Sequence, residues 1–178
     1  MILTVKDNIL IRNLTAEDAP EVYAAVDANR EYLRKWLPWV DATNSPSVIE
    51  GVINEWANKQ EKGSDIVFGI FKDGEYIGNI GLHHIDIGDK TAVIGYWLAE
   101  SAQGGGVMTD CVRTLVEYAV LALGINTVSI HCASGNSKSR AIPERLGFKQ
   151  TGILKDGIVL YGIPYERVIY SLEKHAGD

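Results

Sequence analysis

A chain of 178 residues fits one domain whose core buries roughly 70% of the unfolded surface, and no repeat or low-complexity run argues for a second. A formal net charge of −6 disfavours nucleic acid as a direct partner and suits a basic one instead. The N-terminus has no basic stretch followed by an apolar one, and no run approaches membrane-spanning length. The expectation is therefore a single domain over residues 1–178, off the membrane and in the cytoplasm.

In chain order, Ile9-Leu-Ile11 reads as an opening strand. The following stretch, 14–21, offers two overlapping helix starts: Thr15 with Asp18, or Asp18 with Glu21 and Pro20 in the first turn. Val22, Ala25 and Val26 then point inward on a helix that ends near Asn29. Tyr32-Leu-Arg-Lys-Trp-Leu-Pro-Trp39 is an aromatic-rich connection interrupted by Pro38. Residues 47–62 are helical, with Val48, Val52, Ile53 and Trp56 at helical spacing and Gly63 as the stop.

The period then changes to two. Segments 66–71 and 76–82 flank an Asp73-Gly74 tight turn, and a second turn near Gly88 and Asp89 leads to a strand ending at Leu98, a three-strand antiparallel meander. Beyond it come an amphipathic helix from Met108 to Leu123, a strand 127–132, a short helix 136–146 and two alternating segments, 148–160 and 165–172, parted by Gly162 and Pro164. Strand, helix and strand in succession imply a locally parallel pair, so the fold class is α/β. Cys111 and Cys132, each flanked by apolar residues, read as reduced packing residues; a covalent acyl-cysteine at Cys132 is the alternative, disfavoured because no base neighbours it.

Three glycines, 104, 105 and 106, stand where the strand ending at Leu98 gives way to the helix. The first backbone N–H groups of a helix lack internal partners and carry the positive end of its dipole, so anions bind there. Glycines permit positive φ and let a phosphate approach the main chain. A flexible loop before a capped helix would look the same. Two phosphate-binding motifs fail by residue: no Gly-Lys-Ser/Thr follows, and 20 residues past Gly106 stands Asn126 rather than the acid that a dinucleotide site places on a ribose.

Gln103-Gly-Gly-Gly-Val-Met-Thr109 resembles the Gln/Arg-x-x-Gly-x-Gly/Ala acetyl-coenzyme A signature of the GNAT N-acetyltransferases. Met108 in the last position is usual in the RimJ/RimL-like branch, which acetylates ribosomal-protein N-termini. Asn136-Ser-Lys-Ser139, followed by Glu144-Arg-Leu-Gly-Phe148, resembles a second element of that branch. The resemblance extends over essentially the whole chain. It implies a central mixed sheet of about seven strands flanked by helices and splayed beside the glycines, acetyl-CoA as cosubstrate, no metal, direct transfer to an amine, and a homodimer. Tyr161, Tyr165 and Tyr170 are the candidates for self-association. It also places Trp36 and Trp39 on the acceptor side, although ordinary packing accounts for them equally well.

Acyl transfer from a thioester needs the thioester held, the oxyanion stabilised, the amine deprotonated and the thiolate protonated. Gln103, Gly104, Gly105, Gly106, Val107, Met108 and Thr109 are the expected holders through backbone N–H groups and the Thr109 hydroxyl, with Asn136 toward the pantetheine amides. In a splayed strand the main-chain amides near Trp97 and Leu98 are free to point at the thioester oxygen, where one donor is worth roughly 2.7–4 kcal/mol of barrier. Ser139 is the candidate acid: Pro143, four residues on, has no N–H for the Ser139 carbonyl, so the helix should kink there and aim the hydroxyl at the sulfur.

The base is the departure from the family. Some RimL-like proteins carry a glutamate on the penultimate strand, where this chain has Asp156-Gly-Ile-Val-Leu160 with apolar residues in its place. His83 and His84, with Asp86, are the substitutes, and adjacent strand residues face opposite ways, so at most one histidine points into a groove. A weak base favours an α-amine, roughly 10–15% neutral at pH 7, over a lysine that is about 0.04% neutral. The acceptor reading is a protein N-terminus, with a small-molecule amine as the rival, and a non-catalytic acyl-CoA binding module as the third possibility.

Overall fold

The computed structural model describes residues 1–175 and 177. Those residues form one eight-stranded sheet in the order β1 (Ile2–Lys6), β2 (Ile9–Arg12), β3 (Ile66–Lys72), β4 (Glu75–Asp86), β5 (Thr91–Leu98), β6 (Thr127–Ala133), β8 (Ile163–Glu173), β7 (Lys149–Leu160). Of the described pairs, β5 with β6 is parallel and the rest are antiparallel. The expected meander and closing hairpin are present. The eighth strand is β1, an edge strand of alternating exposure with only Leu3 and Val5 turned to the core, too short and polar to stand out in the sequence.

The period-two pattern divides the interior in two. Phe68 and Ile70 of β3, Ile80 and Leu82 of β4, and Ile94 of β5 pack on one face beneath α4 (Val107–Leu123), which presents Cys111, Val112, Leu115 and Ala119 at helical spacing. On the other face Phe71, Tyr76 and Trp97 meet Val22 and Val26 of α1 (Ala19–Ala28) and Ile49 and Ile53 of α3 (Pro46–Glu61). Leu115 is wholly buried, so its truncation to Ala should cost about 2–5 kcal/mol. Ile49 is the inward residue of α3 where the sequence suggested Val48, one position away on the same turn.

Local chemistry sets the element ends. Asp73 and Gly74 both take positive φ, 53° and 87°, as a two-residue turn between right-twisted strands requires. Both possible starts are used: Thr15, whose N–H donates to Asp18 Oδ2 at 2.7 Å, caps a 3-10 turn at Ala16–Asp18, and Asp18 then precedes α1 with Pro20 in the first turn, though without a side-chain cap bond. The β7–β8 turn falls at Tyr161-Gly162, with φ of 52° and 77°, and Pro164 lies inside β8 opposite Val159, not in the turn. Tyr170 is buried and Tyr165 is half-buried, edge-on against Trp36 at 5.7 Å, which leaves Tyr161 the most exposed of the three tyrosines.

The sheet opens at one place. The parallel ladder runs from Thr91 with Thr127 to Ile94 with Ile130 and stops. Beyond it, β5 stays paired to β4 through Leu98 opposite Gly78, while β6 stays paired to β8 through Ala133 opposite Arg167. Gly78 has no room for a side chain, since a Cβ there would lie 2.3 Å from the Trp97 carbonyl oxygen. The two strands therefore diverge as the arms of a fork, each held by its outer neighbour.

Candidate active site

A cavity of about 960 Å³ occupies the fork, lined both from α4 with the helix Ser137–Arg145 and from the side of the helix Arg30–Leu33, within the range of ligand pockets. Its floor is the start of α4. Gly106 caps the helix in a left-handed conformation, φ 76°, and the Asp110 N–H is the first to reach a helical carbonyl, that of Gly106. The N–H groups of Val107, Met108 and Thr109 consequently have no carbonyl one turn back. Gly104 also has positive φ, 85°, whereas Gly105 does not, so the first and third glycines are the ones the backbone demands.

The walls are tied to this floor. Gln103 donates from Nε2 to the Tyr32 hydroxyl at 2.6 Å and accepts from Lys138 Nζ at 3.2 Å. The Thr109 hydroxyl accepts from Arg145 Nη1 at 2.7 Å. Lys138, Arg145 and Arg113 bring positive charge to the lining against Asp110 and Glu100. Burial opposes ionisation of Asp110, but Lys6 and Arg113 pair with it and hold its carboxyl below the usual range.

Across the fork stands α5 (Ser137–Arg145), capped by Asn136, whose Oδ1 accepts from the Ser139 N–H at 3.2 Å. Pro143 leaves the Ser139 carbonyl without a helical donor, and the Tyr96 hydroxyl of β5 fills the gap at 2.9 Å. Ser139 Oγ lies 3.2 Å from Cys132 Sγ of β6 and 3.4 Å from the Tyr96 hydroxyl. Burial pushes the Cys132 thiol up, so it stays protonated and able to donate to Oγ. Burial likewise raises the Tyr96 phenol. Ser139 is thus a hydroxyl fixed between both arms of the fork.

A second, smaller cavity of about 210 Å³ adjoins the same opening toward β6 and β7. Trp36, Leu37, Tyr96, Asn136 and Ser139 border both cavities, so the two meet at Ser139. A Cβ on Gly135 would lie 3.2 Å from the Trp36 ring, which shows how closely that ring covers the loop before α5.

The acetyltransferase (GNAT) domain family matches residues 8–149. The chain belongs to the GNAT acetyltransferases. It is 37% identical to the putative ribosomal N-acetyltransferase YdaF of Bacillus subtilis (strain 168), over 96% of this chain and 93% of that protein. Among solved structures, RimL, the ribosomal L7/L12 alpha-N-protein acetyltransferase in complex with coenzyme A, superposes with a TM-score of 0.93 at 25% identity, covering 97% of this chain and 98% of the other. The microcin C7 self-immunity acetyltransferase MccE, in complex with acetyl-CoA and AMP, superposes with a TM-score of 0.92 at 28% identity, covering 96% and 94%.

In this acetyltransferase the residues singled out from sequence fall into two groups. Trp97, Leu98, Gln103, Gly104, Gly106, Val107, Met108, Thr109, Asn136 and Ser139 line the large cavity, and Trp36 lines both. Gly105 does not line it. Trp39 is 42% exposed and leans on Trp97 at 6.4 Å, away from either cavity. His83 and His84 also stand outside both: His83 Nδ1 is bound to Asp65 at 2.8 Å with its ring over Gly81 and Gly95, and His84 sits at a bulge with φ 51°. Tyr96, Tyr32 and Arg145 were not found by sequence reasoning. For Tyr96 a signal existed, because a proline four residues after Ser139 demands an outside donor.

Proposed function

We propose that this GNAT acetyltransferase moves an acetyl group from acetyl-CoA directly to the α-amine of a protein N-terminus, with ribosomal proteins, for which its relatives are named, as the acceptor class. The observation that carries the proposal is the fork: two cavities that share Trp36, Tyr96, Asn136 and Ser139 where β5 and β6 part. A donor and an acceptor can approach each other there without either threading past the other.

The large cavity suits the donor. Unpaired N–H groups of residues 107–109 and the glycine-built turn fit a diphosphate, while Arg113, Lys138 and Arg145 supply charge to phosphate. Asn136, its Oδ1 spent on the cap, retains its amide N–H₂ for the pantetheine arm. Trp97 turns its main chain to β4, but Leu98 faces the open side without a β6 partner, and its N–H polarises the thioester carbonyl. Ser139, receiving a hydrogen bond from Cys132, gives its own proton to the departing thiolate. Cys132, buried with a raised pKa, acts as donor and not as an acyl carrier.

A small-molecule amine is the second reading, because the acceptor-side cavity is small, faced by Trp36, Leu37, Ile158 and Leu160, and lined by no carboxylate. Thiol release from acetyl-CoA against peptide N-termini, lysine and small amines separates the two. Peptides turning over at least tenfold faster support the first reading. Exclusive use of small amines overturns it. We further propose a homodimer through the β7–β8 hairpin, where Ile153, Leu154, Val159, Tyr161 and Ile163 stand exposed. Sedimentation at micromolar concentration should give twice the chain mass, and a persistent monomer would refute it.

A further inference from the structure

We propose that His131 is the group that takes the proton from the incoming amine, an inference that rests on the acetyl-transfer reading above. His131 is the residue immediately past the last β5–β6 pair, in the crotch of the fork beside Gly95. Alternation along β6 puts it on the opposite side from Cys132, and Cys132 is the residue whose Sγ touches Ser139 Oγ. Ser139 also borders the large donor cavity, whereas His131 does not. Both border the small cavity.

The rest of that cavity offers no rival. Its titratable lining is Tyr96, Cys132 and His131, and burial raises the first two, so neither loses a proton near neutrality. β7 and the segment after α2 (Arg30–Leu33) contribute only apolar and indole groups. For His131, which is exposed at the groove, the shift runs the other way: partial desolvation, then the positive charge of Arg167 on β8 and of His84 on β4, lower the imidazole from its ordinary value. The ring is neutral and ready to accept at pH 7. This supplies what the sequence reading sought at His83 and His84, on β4, two strands away and outside the cavity.

The step balances. The amine nitrogen attacks the thioester carbon, the C–N bond forms, and the carbonyl becomes an oxyanion. The attached nitrogen, now cationic and far more acidic than the free amine, yields one proton to His131. The oxyanion collapses, the C–S bond breaks, and the thiolate takes the Ser139 hydroxyl proton. The proton held on His131 returns through groove water to Ser139, leaving amide and free thiol as the only products. A base this weak matches an α-amine and leaves lysine largely charged and unreactive, so the acceptor preference stands with a base present.

The test uses the full-length enzyme with acetyl-CoA and a peptide N-terminus. For wild type, kcat/KM should rise through a limb below pH 6.5 and a second one near the amine's own pKa. His131→Gln should lose the first limb and about 10²-fold or more in kcat, with acetyl-CoA KM and thermal midpoint unchanged. Millimolar imidazole should restore turnover to His131→Ala. Turnover within about twofold of wild type, an intact acid limb, or lost activity accompanied by a fallen midpoint and no imidazole rescue each overturn the assignment. Wild type that binds acetyl-CoA yet releases thiol with no amine sinks the acetyl-transfer reading itself, and His131 with it.

Discussion

Replacing Tyr96 by Phe removes one oxygen and should act through a carbonyl 43 positions away in sequence. Pro143 denies the Ser139 carbonyl its helical donor, and the 2.9 Å bond from Tyr96 is the replacement. Leaving a partly buried acceptor unpaired costs about 1–3 kcal/mol. In a chain of this length that lowers the thermal midpoint by about 2–12 °C. Ser139 Oγ shifts with its backbone, and misplacement of a catalytic group by 1 Å costs on the order of 10²-fold in rate. The phenol keeps its proton over roughly pH 6 to 9, so the loss should be independent of pH there. The decisive form is a double-mutant cycle in urea with Pro143→Ala. That substitution restores an N–H to the Ser139 carbonyl, so Tyr96→Phe should cost about 1 kcal/mol less in its background. Costs that add to within about 0.3 kcal/mol would refute the link between the proline and the tyrosine.

Ser139→Ala should lower kcat by about 10²-fold or more while leaving acetyl-CoA affinity within a few-fold, measured by steady-state kinetics and calorimetry; full turnover would remove Ser139 from the chemistry. Gly106→Ala, forced into φ 76°, should lose about 1–2 kcal/mol of stability and weaken acetyl-CoA binding, whereas Gly105→Ala, free of positive φ and with open space at its Cβ, should keep its stability. Asp18, held below 3.8 first by its bond to Arg12, contributes stability that is present above 3.8 and lost as the pH falls through its lower folded value. Melts of wild type and Asp18→Asn should accordingly converge as the pH falls below 3.8, and a constant gap would exclude Asp18 as a source of acid lability.

Much of the fold was legible because it rests on short-range rules. Asp73-Gly74 names its hairpin turn, Gly63 ends a helix in a left-handed conformation, and the alternation from Ile66 to Leu82 fixes which face α4 covers. β1 and the inward Ile49 escaped because an edge strand and a one-residue helix rotation change little in the local pattern. In the site, the glycine-led helix start and Ser139 were legible as motifs. Tyr96 and His131 were not, because each acts across a strand boundary: the role of Tyr96 appears only when β5 lies beside α5, and that of His131 only when the β5–β6 ladder is seen to stop at Ile130. His83 drew attention by its neighbour His84, yet Asp65 and the Gly81–Gly95 surface hold it elsewhere.

The most direct measurement is a crystal structure with a non-hydrolysable acetyl-CoA analogue bound. The diphosphate should lie against the N–H groups of 107–109 and the sulfur between β5 and β6, within hydrogen-bond reach of Ser139 Oγ. A sulfur on the His83 side of the sheet, or a diphosphate seated away from Gly104–Gly106, would contradict the forked-sheet mechanism.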